Sequence, residues 1–156
     1  MADMNGSRFF PRPISVAQLL SRVRAAMLAA VERELALDEE LAPLEVTAAQ
    51  FVVISALSLG ARSASDLCKE ISYDTGAMTR MVDRLEVKGL LRRKRAASDR
   101  RLVNLELTEK AIAAVPSMRS ASMRVVNKFL RGFSPKDVRN VEELLARMLD
   151  NGKSKS

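Results

Sequence analysis

The stretch that decides the fold is DTGAMTRMVDRLEVKGL, residues 74–90. Its apolar residues recur at the i, i+3, i+4 and i+7 spacing that places side chains on one face of an α-helix. They are Met78, Met81, Val82 and Leu85. Gly89 is a typical residue to end a helix. The stretch therefore predicts a helix from about Thr75 to Lys88 that packs against a core through one face.

The other side of this predicted helix carries small, polar and cationic residues, of which Lys88 is the last. A helix that enters the major groove of DNA needs this arrangement. Small residues let the backbone approach, the helix N-terminus favours phosphate, and arginine can bind a guanine edge through two hydrogen bonds. The residues predicted to contact DNA on this helix are Thr75, Gly76, Ala77, Thr79, Arg80 and Arg84.

Two strands are predicted after Gly89, over 90–95 and 101–107. In the second strand, apolar and polar residues alternate with the period of two that is typical of a half-buried strand. The connection between the strands is short and polar, so the pair forms a hairpin. This hairpin would carry Arg95, Arg100 and Arg101 to phosphates or to a minor groove, whose negative potential attracts arginine.

Capping signals predict two shorter helices upstream. Thr47 and Gln50 form a capping box that opens a helix to about residue 59, where Gly60 ends it. Ser63 and Asp66 repeat the pattern for a helix to about residue 71. Three short helices followed by a basic hairpin constitute a mainly α winged helix-turn-helix, in which the helix after Asp74 is the recognition helix.

Longer helices flank this lobe. The first is predicted from residue 14 to about 41, closed by Pro43, and follows a flexible arm over residues 1–13. Thr108 caps a helix to about residue 132, which Pro116 should kink or interrupt. Ser134 and Pro135 open the last helix, to residue 150. We expect a single domain over 14–151, with the DNA-binding lobe at 47–108.

The positive charge of the chain is concentrated in this lobe. Residues 80–101 hold nine basic and three acidic side chains, a net charge of +6 out of +7 for all 156 residues. A run of charge is often only a solvated surface, but here it coincides with the predicted helix and hairpin. The distribution favours an anionic partner, with double-stranded DNA ahead of a membrane.

Three stretches resemble the MarR (multiple antibiotic resistance regulator) family of transcriptional regulators: TAAQFVVISAL at 47–57, residues 74–90, and SDRRLVNLELTEK at 98–110. The resemblance implies a homodimer whose helices at 14–41 and 109–151 intertwine, and whose recognition helices bind a pseudo-palindrome. It implies contacts from Thr75 to Arg80 and from Arg84, a minor-groove arginine at Arg100 or Arg101, and an Asp99 that braces a nearby arginine. It also implies release of DNA by a small aromatic or anionic ligand, whose binding residues the sequence does not identify.

Some positions depart from familiar members of the family. Tyr73 could stack on a sugar or lie against phosphates, and Ser63 belongs with it to the residues predicted to contact DNA. Cys68 stands where the family usually has a small core residue, so we interpret it as a buried thiol, with a redox sensor as the alternative.

Catalysis is not expected. The chain has no histidine, one cysteine and no Gly-rich phosphate loop, so the commonest general base, a zinc cluster and a nucleotide site are all lacking, and no cofactor or metal is predicted. No apolar run reaches the length of a membrane span, and the N-terminus lacks the apolar centre of a signal peptide. We therefore expect a cytoplasmic protein with no membrane partner and no disulfide.

The sequence favours a homodimeric, sequence-specific regulator, and the resemblance implies a repressor. Two alternatives use the same chain differently. A non-specific nucleoid-associated or RNA-binding module would use the basic patch without sequence preference. A protein-interaction module would have lost the cationic side of the recognition helix, against which Arg80, Arg84 and Lys88 argue.

Overall fold

The computed structural model describes residues 15–60, 63–71, 73–95 and 103–153. These residues form six α-helices, a short 3₁₀ turn and an antiparallel hairpin of two strands, which confirms the mainly α winged-helix class. The elements are α1 (Val16–Leu37), the 3₁₀ turn (Ala42–Leu44), α2 (Ala48–Leu59), α3 (Ala64–Ile71), α4 (Thr75–Val87), β1 (Leu91–Arg95), β2 (Val103–Leu107), α5 (Glu109–Phe129) and α6 (Pro135–Lys153).

The helix starts predicted for α2 to α6 are confirmed, since each depends on local signals, whereas α1 begins at Val16 rather than residue 14, behind an unpredicted capping box of Ser15 and Gln18. Thr47 and Gln50 form a complete capping box at α2, in which the N–H of Thr47 donates to Gln50 Oε1 at 3.1 Å. Ser63 and Asp66 make the reciprocal pair at α3, and Thr108 Oγ1 accepts from the N–H of Ala111 at 3.3 Å to open α5. Such bonds satisfy N–H groups that the first helical turn leaves free.

Three predictions about where helices end or break are wrong. α1 ends at Leu37 rather than near residue 41, because the extended residue Asp38 accepts from the N–H groups of Glu40 and Leu41 and so turns the chain before Pro43. α6 continues through residues 151 and 152 to Lys153, since Gly152 has no positive φ. α5 ends at Phe129 rather than near residue 132, and its helical residues continue through Pro116, where the missing N–H interrupts the hydrogen bonding locally at an exposed position.

One core holds the lobe together with α1 and α5. α2 lies at its centre, with Val53 and Ile54 fully buried. Side chains that are 2% exposed or less reach it from outside α2: Leu35, Leu41, Leu67, Met78, Val82, Leu85, Leu90, Leu91, Ala111, Met118, Ala121 and Val125. The orientation of α4 is therefore fixed by packing from several sides.

The hairpin is tied to the end of α4. Leu91 pairs with Leu107 and Arg95 with Val103, so the base of the hairpin lies in the core and its far end projects from the lobe. Thr108 Oγ1 donates to the carbonyl of Gly89 at 2.8 Å, and the N–H of Thr108 donates to the carbonyl of Leu90 at 3.2 Å. Gly89 has a φ of +67°, a conformation that glycine adopts without strain.

Across the described part of the chain, no single helix has the length and apolar character needed to cross a membrane. The bent pair formed by α2 and α3 meets the criterion together, by length and composition alone.

Candidate nucleic-acid interface

The helix α4 is held by its cap and by its apolar face. Asp74 is the N-cap, and its Oδ1 accepts from the N–H of Ala77 at 2.9 Å, a role that the sequence analysis did not assign to it. Met78, Val82 and Leu85 are at most 1% exposed, which confirms three members of the predicted stripe. The fourth, Met81, is half-buried at its edge. The opposite face is thereby directed away from the core.

Most of the residues predicted to contact DNA from α4 lie on that outward face. Thr75, Gly76, Thr79, Arg80 and Arg84 are exposed, and Ala77 is half-buried. A Cβ at Gly76 would lie 3.3 Å from Asp74 Oδ1 and 3.7 Å from Arg80 Nη1. The Arg80 guanidinium therefore extends back over the first turn, and a larger residue at position 76 would crowd both the cap and this arginine.

Three cations remain available for an anionic partner. Arg80, Arg84 and Arg95 are exposed and form no ion pair or side-chain hydrogen bond with any other described residue. Arg80 and Arg84 lie one turn apart on α4, and Arg95 ends β1. Guanidinium groups in this state retain all their donors for phosphates or bases.

The other basic residues of β1 are paired within the protein. Arg93 pairs with Asp83 and Glu86 of α4, and Arg92 and Lys94 pair with Glu106 of β2. The hydrogen bond with Asp83, supported by Glu86, raises the pKa of Arg93. The hydrogen bond from Arg92 is the main cause that lowers the pKa of Glu106. Only part of the basic run can therefore face a nucleic acid.

Contrary to the expectation from the sequence, Lys88 does not lie free on the basic face of α4. Its Nζ donates to the backbone carbonyl of Glu45 and to Gln50 Oε1, the latter at 3.1 Å. It thus connects the end of α4 to the start of α2. Glu45 has a left-handed φ of +49°, which contributes to directing its carbonyl away from a helical partner.

Three further sequence predictions concern half-buried residues. Tyr73 packs against the core rather than standing free beside the recognition helix. The Ser63 hydroxyl caps α3, where it accepts from the backbone N–H of Asp66 at 3.1 Å. Cys68 also packs against the core but remains half-buried, so it is not the fully buried thiol that we expected.

Asp99, Arg100 and Arg101 lie outside the described residues, as does the arm at 1–13.

An open cavity of about 680 Å³ lies between the end of α2, the hairpin and the first half of α5. Its walls are polar and apolar in about equal measure, and Arg92, Glu106 and Arg119 contribute charge. Arg119 also donates to the Ser58 hydroxyl at 2.9 Å. Sequence reasoning did not find these residues, because they come from three distant segments without a shared motif. Among the described residues, no group of three or more potential ligands is placed to hold a metal ion.

Comparison with known proteins agrees with this geometry. The sequence model of the MarR family matches residues 44–102, the segment that contains α2 to β1. A cysteine-to-serine variant of MarR from E. coli, solved in complex with operator DNA, is 28% identical with a TM-score of 0.76, and the match covers 92% of this chain and 99% of that one.

A second solved structure concerns BpsR of Bordetella bronchiseptica, whose DNA binding is regulated by 6-hydroxynicotinic acid. It is 27% identical with a TM-score of 0.76, over 93% of this chain and 99% of that one. Wild-type MarR from E. coli without ligand is 28% identical with a TM-score of 0.66, over 88% and 98% of the two chains. These matches confirm the resemblance found in the sequence: residues 44–102 match the sequence model of the MarR family, and the fold is shared with solved MarR structures over most of this chain.

Proposed function

We propose that this chain is a repressor that binds a pseudo-palindromic operator in double-stranded DNA as a homodimer. The observation that carries the proposal is the outward face of α4. Gly76, Arg80 and Arg84 are exposed there, and the two arginines have no partner among the other described residues, while the opposite face is buried. Base edges in the major groove are read by such side chains, with arginine on guanine the commonest specific contact.

The hairpin supplies the second proposed contact. Arg95 is exposed at the end of β1, and the chain continues from it towards Asp99, Arg100 and Arg101. In the proposed complex, Arg95 and one of the two later arginines bind phosphates or enter the minor groove, and Asp99 braces an arginine. Contacts of this kind position the protein on the duplex more than they select a sequence.

The dimer is proposed from apolar surface on the terminal helices. On α6, five residues that are 38–66% exposed share one face, and α6 packs extensively against no other described element: Val141, Leu144, Leu145, Met148 and Leu149. On α1, Val16, Leu19, Leu20 and Val23 are 37–55% exposed. Monomeric proteins rarely leave contiguous surface of this kind in water. We assign 14–41 and 109–151 to dimerisation and 47–108 to the DNA-binding lobe.

A twofold dimer would place its two α4 helices against half-sites of opposite orientation. If both recognise the same side of the duplex, the half-site centres lie about 34–36 Å apart, which is one helical turn. The operator is therefore expected to be pseudo-palindromic. Binding, and not catalysis, is the proposed role.

The experiment that tests this proposal is selection of bound duplexes from a randomised DNA pool at physiological salt. Recovery of a pseudo-palindrome with half-sites one turn apart would support it. Tight binding without an enriched sequence would indicate the nucleoid-associated or RNA-binding alternative, and no binding would indicate the protein-interaction module. The Arg80→Ala, Arg84→Ala double variant serves as a control, because it removes the proposed base contacts without altering the core. Transcription from a promoter that carries the recovered sequence then tests repression.

We further propose that a small aromatic anion binds in the cavity between α2, the hairpin and α5. The cavity has apolar wall residues for a ring and places Arg92 and Arg119 where a carboxylate could bind. A ligand there would contact both the DNA-binding lobe and a dimerisation helix, so it could change their relative orientation and release DNA. Benzoate and 6-hydroxynicotinate are suitable probes. Calorimetry should detect binding to the unaltered chain and weaker binding to Arg119→Ala; equal binding to both would contradict this site.

A further inference from the structure

Arg93 of β1 contacts two carboxylates of α4 at once. Its Nη2 lies 2.5 Å from Asp83 Oδ1, and its Nη1 donates to Glu86 Oε2. The backbone N–H of Arg93 also donates to Glu86 Oε1 at 3.3 Å, so both oxygens of Glu86 are occupied. The side chain of Arg93 is 33% exposed, compared with 64% for Arg92 and 65% for Lys94 on the same strand. Arg93 is thus the cation of this group that is directed towards α4.

Asp83 belongs to the face of α4 that carries the proposed DNA contacts. It follows Arg80 by three residues and Thr79 by four, and successive residues of an α-helix are about 100° apart. Its side chain is 55% exposed. A free carboxylate at this position would repel phosphates, and at a spacing of i+3 it could also pair with Arg80. Both effects would weaken binding to DNA.

We propose that Arg93 is a positioning residue for DNA binding, which neutralises Asp83 and Glu86 and thereby keeps Arg80 unpaired and available to the duplex. Arg93 itself does not need to contact DNA. The absence of any ion pair on Arg80 or Arg84 with the other described residues agrees with this role. The inference rests on the proposed function, since it concerns the same face of α4.

The other basic residues of β1 provide a matched comparison. Arg92 and Lys94 point to the alternate face of the strand and share Glu106 on β2, away from α4. Lys94→Ala removes the same charge as Arg93→Ala, but it leaves Glu106 paired with Arg92 and leaves α4 unchanged. The difference between the two variants therefore reports the effect of Arg93 on Asp83 and Glu86.

The test measures the affinity of the full chain for a duplex recovered by the selection described above, with thermal unfolding of each variant as a check on folding. We expect Arg93→Ala to weaken binding by about tenfold, and Lys94→Ala by about two- to threefold. Adding Asp83→Asn to Arg93→Ala restores the net charge and should recover most of the loss. Asp83→Asn alone should bind as well as the unaltered chain or better.

A purely structural tie between α4 and β1 makes the opposite prediction, because Asp83→Asn would then break the same contact and weaken binding as Arg93→Ala does. That result would overturn the inference, as would equal losses in Arg93→Ala and Lys94→Ala. In either case the unaltered chain still binds its duplex, so the proposed function stands. If the unaltered chain binds no duplex, both proposals fail.

Discussion

Arg80 has the two properties that a side chain needs in order to read a base: exposure and an unoccupied guanidinium. It lies over the first turn of α4, 3.7 Å from the position that a Cβ on Gly76 would take. We expect Arg80→Ala to cost about 1–3 kcal/mol of binding free energy and to relax the preference for one base in each half-site. Titration against single-base variants of the selected duplex measures both effects.

The control for this prediction is Arg33→Ala, which removes an exposed arginine from α1. It should change affinity little and leave the sequence preference intact. If Arg80→Ala weakens binding equally on every duplex, then Arg80 binds phosphate and the base contact must come from another residue of α4.

Single residues also show where sequence reasoning reaches its limit. The sequence is enough to count the charge of residues 80–101, but it does not tell which basic side chains pair within the protein and which stay unpaired. Arg93 and Lys88 are separated along the chain from Asp83, Glu45 and Gln50, and only the packed fold brings them together. Arg80 and Arg84 remain free because no carboxylate of the described structure comes close enough to pair with them.

At the scale of elements, local signals predicted helix starts well, because a cap requires only residues three apart. Helix ends were less predictable. α1 stops at Asp38 through a side-chain turn, whereas Pro43 was the more obvious signal in the sequence. No cap is predicted from the sequence for the recognition helix, although the carboxylate of Asp74 caps it.

This cap leads to a prediction that separates helix stability from charge. Asp74→Ala removes the acceptor of the Ala77 N–H and should lower the free energy of unfolding by about 1 kcal/mol. Asp74→Asn preserves a capping oxygen and removes a negative charge beside the face proposed to meet phosphates. We therefore expect Asp74→Asn to unfold like the unaltered chain and to bind DNA at least as tightly. Chemical denaturation and DNA titration test the two halves; weaker binding by a fully stable Asp74→Asn variant would contradict the second.

The hairpin should be sensitive to acid through Glu106. Hydrogen bonding from Arg92, together with Lys94, lowers the pKa of Glu106 from its ordinary value of 4.5. The ionised form is therefore favoured in the folded state, and its contribution to stability is present above about pH 4.5 and is lost as the pH falls through the lower folded pKa. Carboxyl resonances of Glu106 followed by NMR should report this low pKa. Arg92→Ala should raise it, and an unchanged pKa in that variant would show that the ion pair is not its cause.

At the scale of the whole molecule, the described chain leaves an apolar stripe on α6 without a cover. Burial of such a stripe against a second copy would stabilise α6 as well as the dimer, because α6 packs extensively against no other described element. It would also fix the distance between the two α4 helices. Affinity for a two-part operator would therefore depend on residues that never approach DNA.

Leu145→Asp tests this dependence, since it places a charge at the centre of the stripe, where Leu145 is 38% exposed. We expect the variant to sediment as a monomer and to bind the full operator far more weakly, because each half-site must then be occupied independently and the gain in effective concentration is lost. Ala146→Asp is the matched control: it adds the same charge about 100° further around the helix, at an exposed position. A Leu145→Asp variant that remains dimeric and binds normally would exclude this face of α6 from the dimer. A monomer that still binds the full operator tightly would instead show that one lobe suffices, and the two-site reading of the operator would have to be abandoned.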